Sequence, residues 1–210
     1  MKKYDLYLFD FDGTLLDTMK ALEYVFSVSY EHVGVKFDPK DTKLYACIPL
    51  LEGYQRLNGD PDKWDDFCDY IEKSLDFPES LKHNAFYSET MEVINYMRDN
   101  KIKAGIVTSN KDKHVKEVLE TMHIPLDTFS VLISSKQSRN HKPHPEPILM
   151  ALDELKYKGL LANVVYVGDG LNDTICANNA GVDAILVDRN DEFPDSNKYI
   201  KIHNLKELFE

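Results

Sequence analysis

The sequence predicts an α/β fold, a Rossmann-like parallel-sheet core with an inserted all-helical domain. Three observations lead there. Short apolar runs recur along the chain and end on polar or glycine-containing turns. Helix-patterned segments separate them, and strand–helix alternation of this kind builds a parallel sheet covered on both faces. One long stretch, directly after the first run, is helix-patterned and holds no convincing strand.

The first run is Tyr4-Asp5-Leu6-Tyr7-Leu8-Phe9, ending at Asp10. Residues 103–107 follow (Lys-Ala-Gly-Ile-Val), ending at Thr108-Ser109-Asn110. Then come 130–133, 163–167 ending at Gly168-Asp169, and 183–187. Runs this short, rich in β-branched and aromatic residues, read as strands buried on both faces. Between them, 89–98 carries Met91, Ile94 and Met97 at helical spacing, and 115–122 carries Val115, Val118, Leu119 and Met122. A helix over 145–155 begins with prolines, whose missing N–H is harmless in a first turn. A helix over 174–180 stops at Gly181, a C-terminal cap.

The spacing assigns residues 1–15 and 82–210 to the core and 16–81 to a helical cap domain. Segments 19–33 and 63–75 are its clearest helices, and Pro39, Pro49, Asn58-Gly59 and Pro61 punctuate it. Tyr24, Phe26, Trp64 and Phe67 are read as this domain's own core.

A chain of 210 residues buries a substantial core. Its 25 Lys and Arg against 36 Asp and Glu leave a charge of −11. That balance argues against a nucleic-acid binder, which needs basic surface to displace counterions. It leaves room for a small anionic substrate, because a metal and a few placed cations can reverse the potential in one cleft. Cys47, Cys68 and Cys176 are far apart, with no C-x-x-C pair, and read as thiols of a reducing compartment. Acidic residues interrupt the N-terminal run, and nothing approaches the ~20 apolar residues of a membrane span. The expectation is a cytoplasmic protein, monomer or homodimer, with no membrane or nucleic-acid partner.

Four polar clusters sit where strands are predicted to end, which is where open parallel sheets bind ligands. Asp10 and Asp12, two apart, leave the first strand on one side. Such a pair suits a hard divalent cation, and one carboxylate can attack phosphorus. Thr108-Ser109-Asn110 offers a phosphate cradle at a strand-to-helix junction or, alternatively, a helix N-cap. In His141-Lys142-Pro143-His144-Pro145, Pro143 keeps Lys142 extended, suiting a fixed cation aimed at an anion. His141 and His144 lack further ligands nearby and read as loop residues. Asp169 and Asp173, in Gly168-Asp169-Gly170-Leu171-Asn172-Asp173, can complete a magnesium site with Asp10, while Asn172 or Asp173 can also cap the next helix.

In this order the four clusters resemble the haloacid dehalogenase-like (HAD) hydrolase superfamily. The resemblance spans about residues 1–15 and 82–210. The helical insertion after Asp10-Phe11-Asp12-Gly13-Thr14 is similar to that of the phosphoglycolate phosphatase-like branch. The resemblance implies a magnesium-dependent phosphatase acting on a small phosphomonoester, phosphoglycolate-like or a sugar phosphate. Asp10 would be the nucleophile and Asp12 the acid and base. Magnesium would be held by Asp10, Asp12 (through its backbone carbonyl) and Asp169, with Asp173 in support. Thr108, Ser109, Asn110 and Lys142 would hold the phosphoryl group.

The alternatives are a phosphomutase of the β-phosphoglucomutase type and an inactive binding protein on the same fold. Thr14 after Gly13 favours the phosphatase over the mutase. A phospho-receiver module fits less well, because its acceptor follows the third strand. Substrate choice is expected in cap loops such as 45–56, where Arg56 is read as an exposed surface arginine or, alternatively, as a partner for a substrate carboxylate.

Overall fold

The computed structural model describes residues 1–46 and 48–210. Cys47, one of the three thiols and part of the 45–56 loop, lies outside the described residues. In chain order the strands and helices begin with β1 (Leu6–Phe9) and β2 (Leu16–Asp17). Five helices follow: α1 (Met19–His32), α2 (Thr42–Ala46), α3 (Leu50–Arg56), α4 (Trp64–Leu75) and α5 (Pro78–Lys82). Then come β3 (Ala85–Phe86), α6 (Thr90–Asp99), β4 (Lys103–Val107), α7 (Asp112–Thr121) and β5 (Leu132–Ile133). The chain closes with α8 (Glu146–Glu154), β6 (Val164–Gly168), α9 (Leu171–Ala180), β7 (Asp183–Val187) and β8 (Ile200–Ile202).

Two compact units result, one of Met1–Leu16 with Phe86–Glu210 and the other of Asp17–Ala85. The sequence placed the inserted domain at 16–81; in the structure the second unit starts at Asp17 and runs on to Ala85, the first residue of β3.

The first unit is built on a six-stranded sheet in the order β5-β4-β1-β6-β7-β8, parallel at every pairing. All four residues of β1 are buried, as are all five of β6. Successive side chains point to opposite faces, so the strands feed two cores at once. Tyr7, Phe9, Ile106, Val165, Val167 and Ile185 pack with Val93, Ile94 and Met97 of α6 and Val115, Val118 and Leu119 of α7. Leu6, Leu8, Val107 and Tyr166 pack with Ile148 and Ala151 of α8 and Cys176, Ala177 and Ala180 of α9. Burial on both faces explains why these strands read as continuous apolar runs rather than alternating ones.

Two helices extend past their expected starts. α7 begins three residues before Val115 and α9 three before Thr174. Their first turns are polar (Asp112-Lys113-His114) or lie inside the Gly168–Asp173 cluster, so they show no apolar period. The edge strand β8 and the two-residue β2 and β3 were not foreseen. β8 reads only Ile-Lys-Ile, and two residues carry no periodicity.

The second unit has its own core. Val25, Phe26, Tyr30, Val33, Tyr54 and Phe67 are buried together, with Tyr24 and Trp64 partly buried against them. Aromatic rings dominate it: Phe67 lies 4.8 Å from Tyr30 and 4.6 Å from Tyr54, centroid to centroid. The hydroxyls of Ser29 and Ser74 meet at 3.2 Å between α1 and α4, so neither is stranded in the apolar interior. Arg56 pairs with Glu52 one turn back at 2.6 Å, with both side chains about half exposed. Among the described residues, no helix is long and apolar enough to cross a membrane.

One glycine decides how closely β4 lies against its neighbours. A Cβ on Gly105 would meet Val131 Cγ1 at 2.4 Å and Leu8 Cδ2 at 2.9 Å. Both neighbours are buried, so neither can swing into solvent. Gly105→Ala should therefore destabilise the protein by about 1–3 kcal/mol, the usual penalty of overpacking. Denaturant unfolding should show a lower midpoint at unchanged slope.

Candidate active site

The sheet order places a topological switch between β1 and β6. From β1 the chain winds outward through β4 and β5, then returns to the other side of β1 for β6, β7 and β8. The crevice beyond the strand ends opens there. Phe9 pairs in register with Ile106 and Val167. Asp10 follows Phe9 directly, while Thr108 and Asp169 stand two residues past their pairing positions. Three distant segments thus deliver polar side chains to one edge. Asp10 is pinned there by its N–H, which donates to Val167 O at 2.8 Å.

The structure brings Asp10, Asp169 and Asp173 together, with one carboxylate oxygen of each within 4.8 Å of the others. Asp10 and Asp173 are buried and Asp169 is partly so. Lys142 lies among them, its ammonium 2.8 Å from Asp10 Oδ1 and 2.7 Å from Asp173 Oδ1. The Lys142–Pro143 peptide bond is cis. Asp173 takes the capping role that the sequence allowed it. Its Oδ2 accepts the Gly170 N–H at 3.0 Å, closing the first turn of α9, while Oδ1 faces Lys142.

Gly13 makes room for this arrangement. It has φ +75°, where side chains are strained, and a Cβ there would lie 2.1 Å from Asp169 Oδ2. Asp12 stands apart from the trio. Its carboxylate accepts a hydrogen bond from Asn110 Nδ2 at 3.1 Å. Asn110 also accepts the Lys111 N–H at 2.8 Å and donates its own N–H to Thr108 Oγ1 at 3.0 Å. Neither Ser109 nor Asn110 is the N-cap of α7; that position is Lys111. Thr108 is buried and Ser109 exposed. His141 and His144 are exposed, and His144 Nδ1 accepts the Glu146 N–H at 3.2 Å.

Two hydroxyls bear on the site beyond the candidates the sequence singled out. Thr14 donates to Asp169 Oδ1 at 3.1 Å. Tyr166, fully buried in β6, donates to Val107 O at 2.7 Å, with its oxygen 3.3 Å from Lys142 Nζ and 3.5 Å from Asp173 Oδ1. Its signal in the sequence was a lone hydroxyl in an otherwise apolar Val-Val-Tyr-Val run, which aromatic packing accounts for equally well.

Burial pushes the Asp10 carboxyl well above the usual range; Lys142 pulls it back, while Asp173 and Asp169 push it further up. Burial, then the Asp173 charge, raise Asp169 to about 6. Burial works against charge on Lys142, but Asp10 and Asp173 outweigh it, so its pKa lies above the ordinary value and it stays an ammonium. Tyr166 is raised mainly by burial and stays a neutral donor. Three carboxylates and one ammonium leave an excess of negative charge that a divalent cation would balance. The donors are all oxygens, the chemistry of a hard cation such as magnesium.

The family model described as "Haloacid dehalogenase-like hydrolase" matches residues 7–187. The chain belongs to the haloacid dehalogenase-like hydrolases. It is 31% identical, over 86% of its length and 80% of the relative's, to a candidate pyrophosphatase PpaX of Caldanaerobacter subterraneus subsp. tengcongensis. A candidate haloacid dehalogenase-like hydrolase from Bacteroides fragilis superposes with TM-score 0.79 at 26% identity, covering 98% of this chain and 100% of that one. A candidate phosphoglycolate phosphatase from Lactobacillus plantarum shares the fold with TM-score 0.78 at 22% identity, covering 99% and 100%. Members of this hydrolase family generally use a metal ion, and the buried trio is where this chain could bind one.

The raised Asp169 pKa has a signed consequence for the metal-free protein. In the unfolded chain this carboxyl ionises near its ordinary value of 3.8, whereas in the fold it holds its proton to about 6. The folded state therefore binds more protons between those values, and the site's contribution falls as pH rises through that window. Melting temperatures in chelator, compared with those in excess magnesium from pH 4 to 7, should diverge increasingly up to about pH 6. Parallel curves would contradict a charge-strained metal site.

Proposed function

We propose that this hydrolase is a magnesium-dependent phosphatase that acts on a small phosphorylated substrate through an aspartyl-phosphate on Asp10. The observation that carries this reading is the buried Asp10 carboxylate, held by the Lys142 ammonium beside the Asp169 and Asp173 oxygens. An Asp10 oxygen forms the new bond to phosphorus as the bond to the leaving oxygen breaks. Asp12 gives its proton to that leaving oxygen. As a carboxylate it then takes a proton from the water that attacks the aspartyl-phosphate, releasing inorganic phosphate.

Asn110 holds the Asp12 carboxylate in place, and Thr108, Ser109 and Asn110 are the proposed donors to the phosphoryl oxygens. Lys142 neutralises charge that develops on them. A magnesium ion on Asp10, Asp169 and the Asp12 backbone carbonyl, with Asp173 in support, would add Lewis-acid stabilisation of the same oxygens. Thr14 orients Asp169 for that task. The helical unit is proposed to act as a cap that sets substrate choice. With Cys68 and Cys176 unpaired, the reducing cytoplasm is the proposed compartment.

Two substrate classes have support. A phosphomonoester, such as phosphoglycolate or a sugar phosphate, fits the insertion type read from the sequence. Pyrophosphate is favoured by the name of the 31% identical relative. Both give free phosphate, whereas a phosphomutase would return the phosphoryl group to an acceptor hydroxyl.

A phosphate-release screen over sugar phosphates, phosphoglycolate, nucleotides and pyrophosphate tests the reading. Release should require magnesium, and calcium should substitute poorly because its looser coordination spoils in-line geometry. Turnover in excess chelator would contradict it. On the best substrate, Lys142→Ala should lower kcat by at least ~100-fold, about 3 kcal/mol of barrier, and Lys142→Arg should recover only part, since a planar fork does not replace a point charge. A Lys142→Ala rate within about threefold of wild type would remove the charge-neutralising role.

A further inference from the structure

Arg189 stands two residues past the end of β7 and reaches the loop that carries Asp12. Its Nη1 donates to Gly13 O and its Nη2 to Thr14 O, each at 2.9 Å. The same guanidinium binds Glu89 Oε1 through Nη2 at 2.8 Å and through Nε at 3.2 Å. Its carbon lies 3.5 Å from the centroid of the Tyr87 ring. Glu89 is almost fully buried and Arg189 largely so. One planar group thus ties two successive carbonyls of the Asp12 loop to a segment more than seventy residues later.

Both ends of the brace are fixed. The Asp188 carboxylate is buried and accepts the N–H groups of Glu192 and Phe193, each at 2.8 Å, which sets the turn from which Arg189 projects. The next carbonyl of the Asp12 loop, Leu15 O, accepts the Thr90 hydroxyl at 2.8 Å. Arg189 and Thr90 together therefore take three consecutive loop carbonyls. Lysine could keep the charge beside Glu89, but one ammonium cannot reproduce a flat fork aimed at two adjacent carbonyls and a carboxylate.

We infer that Arg189 is a positioning residue for the Asp12 acid: it holds the Gly13 and Thr14 carbonyls, and so fixes where the Asp12 carboxyl stands relative to the leaving group. The inference rests on Asp12 acting as the acid in the proposed reaction. A displaced acid slows the loss of a poor leaving group far more than that of a good one, because an alkoxide needs its proton and a nitrophenolate does not.

The test is single-turnover phosphorylation of the magnesium-loaded enzyme by glycerol phosphate and by p-nitrophenyl phosphate, in wild type, Arg189→Lys, Glu89→Gln and Asp12→Asn. Each variant is first checked for a cooperative thermal transition. Arg189→Lys should slow the alkyl ester at least tenfold and the nitrophenyl ester less than threefold, the same pattern as Asp12→Asn in weaker form. Glu89→Gln, which loosens the anchor and keeps the fork, should follow in the same direction. If Asp12→Asn discriminates between the esters while Arg189→Lys and Glu89→Gln slow both equally, or neither, the positioning role is overturned and the proposed reaction stands. If Asp12→Asn slows both esters equally, the acid assignment falls and this inference falls with it.

Discussion

Three carboxylates confined within 4.8 Å of one another, two of them buried, cannot all stay ionised unless positive charge lies among them. Lys142 supplies one such charge, bound to Asp10 and Asp173 in the same instant. It does not suffice, since Asp10 and Asp169 are both pushed toward their protonated forms. The remaining deficit is what a divalent cation would fill, and a dianionic phosphoryl group can approach only once it is filled. Electrostatic balance, rather than shape, is therefore the condition on which this site depends.

The fold supplies that condition by placing strand ends side by side. β1, β4 and β6 are neighbours in the sheet although Asp10, Thr108 and Asp169 lie far apart in sequence. The parallel register brings their ends to one edge, and the packing on both faces fixes that register. Gly13 and Gly105 serve the same end by different means. Gly13 admits the Asp169 carboxylate against the loop backbone, and Gly105 admits Val131 and Leu8 against β4. Tyr166 joins the sheet interior to the charged cluster, with its ring packed in one core and its hydroxyl between Val107 O and Lys142.

Much of this was legible in the sequence, because burial on both faces writes a strand as an unbroken apolar run and the chemical residues sit at the ends of those runs. Asp10, Lys142, Asp169 and Asp173 could be picked out as charged groups following such runs or preceding a proline. What stayed hidden acts through geometry that no periodicity records. The reach of Arg189 to Gly13 and Thr14 depends on β7 lying two strands from β1. Thr14 and Tyr166 have side chains that packing or a turn would explain equally well. The link from Asn110 to Asp12 spans almost a hundred residues, so Asn110 read as a phosphate donor or a cap rather than as a tether for the Asp12 carboxylate.

The proposed reaction turns on an Asp10 oxygen as the atom that attacks phosphorus. Asp12→Asn keeps the proposed nucleophile and removes the proposed base of the second step, so it should trap the intermediate. Magnesium-loaded Asp12→Asn, mixed with p-nitrophenyl phosphate, quenched in acid and digested, should yield a peptide carrying one phosphoryl group on Asp10, labile to hydroxylamine. Robust turnover by Asp10→Asn, with no phosphopeptide trapped in Asp12→Asn, would contradict it.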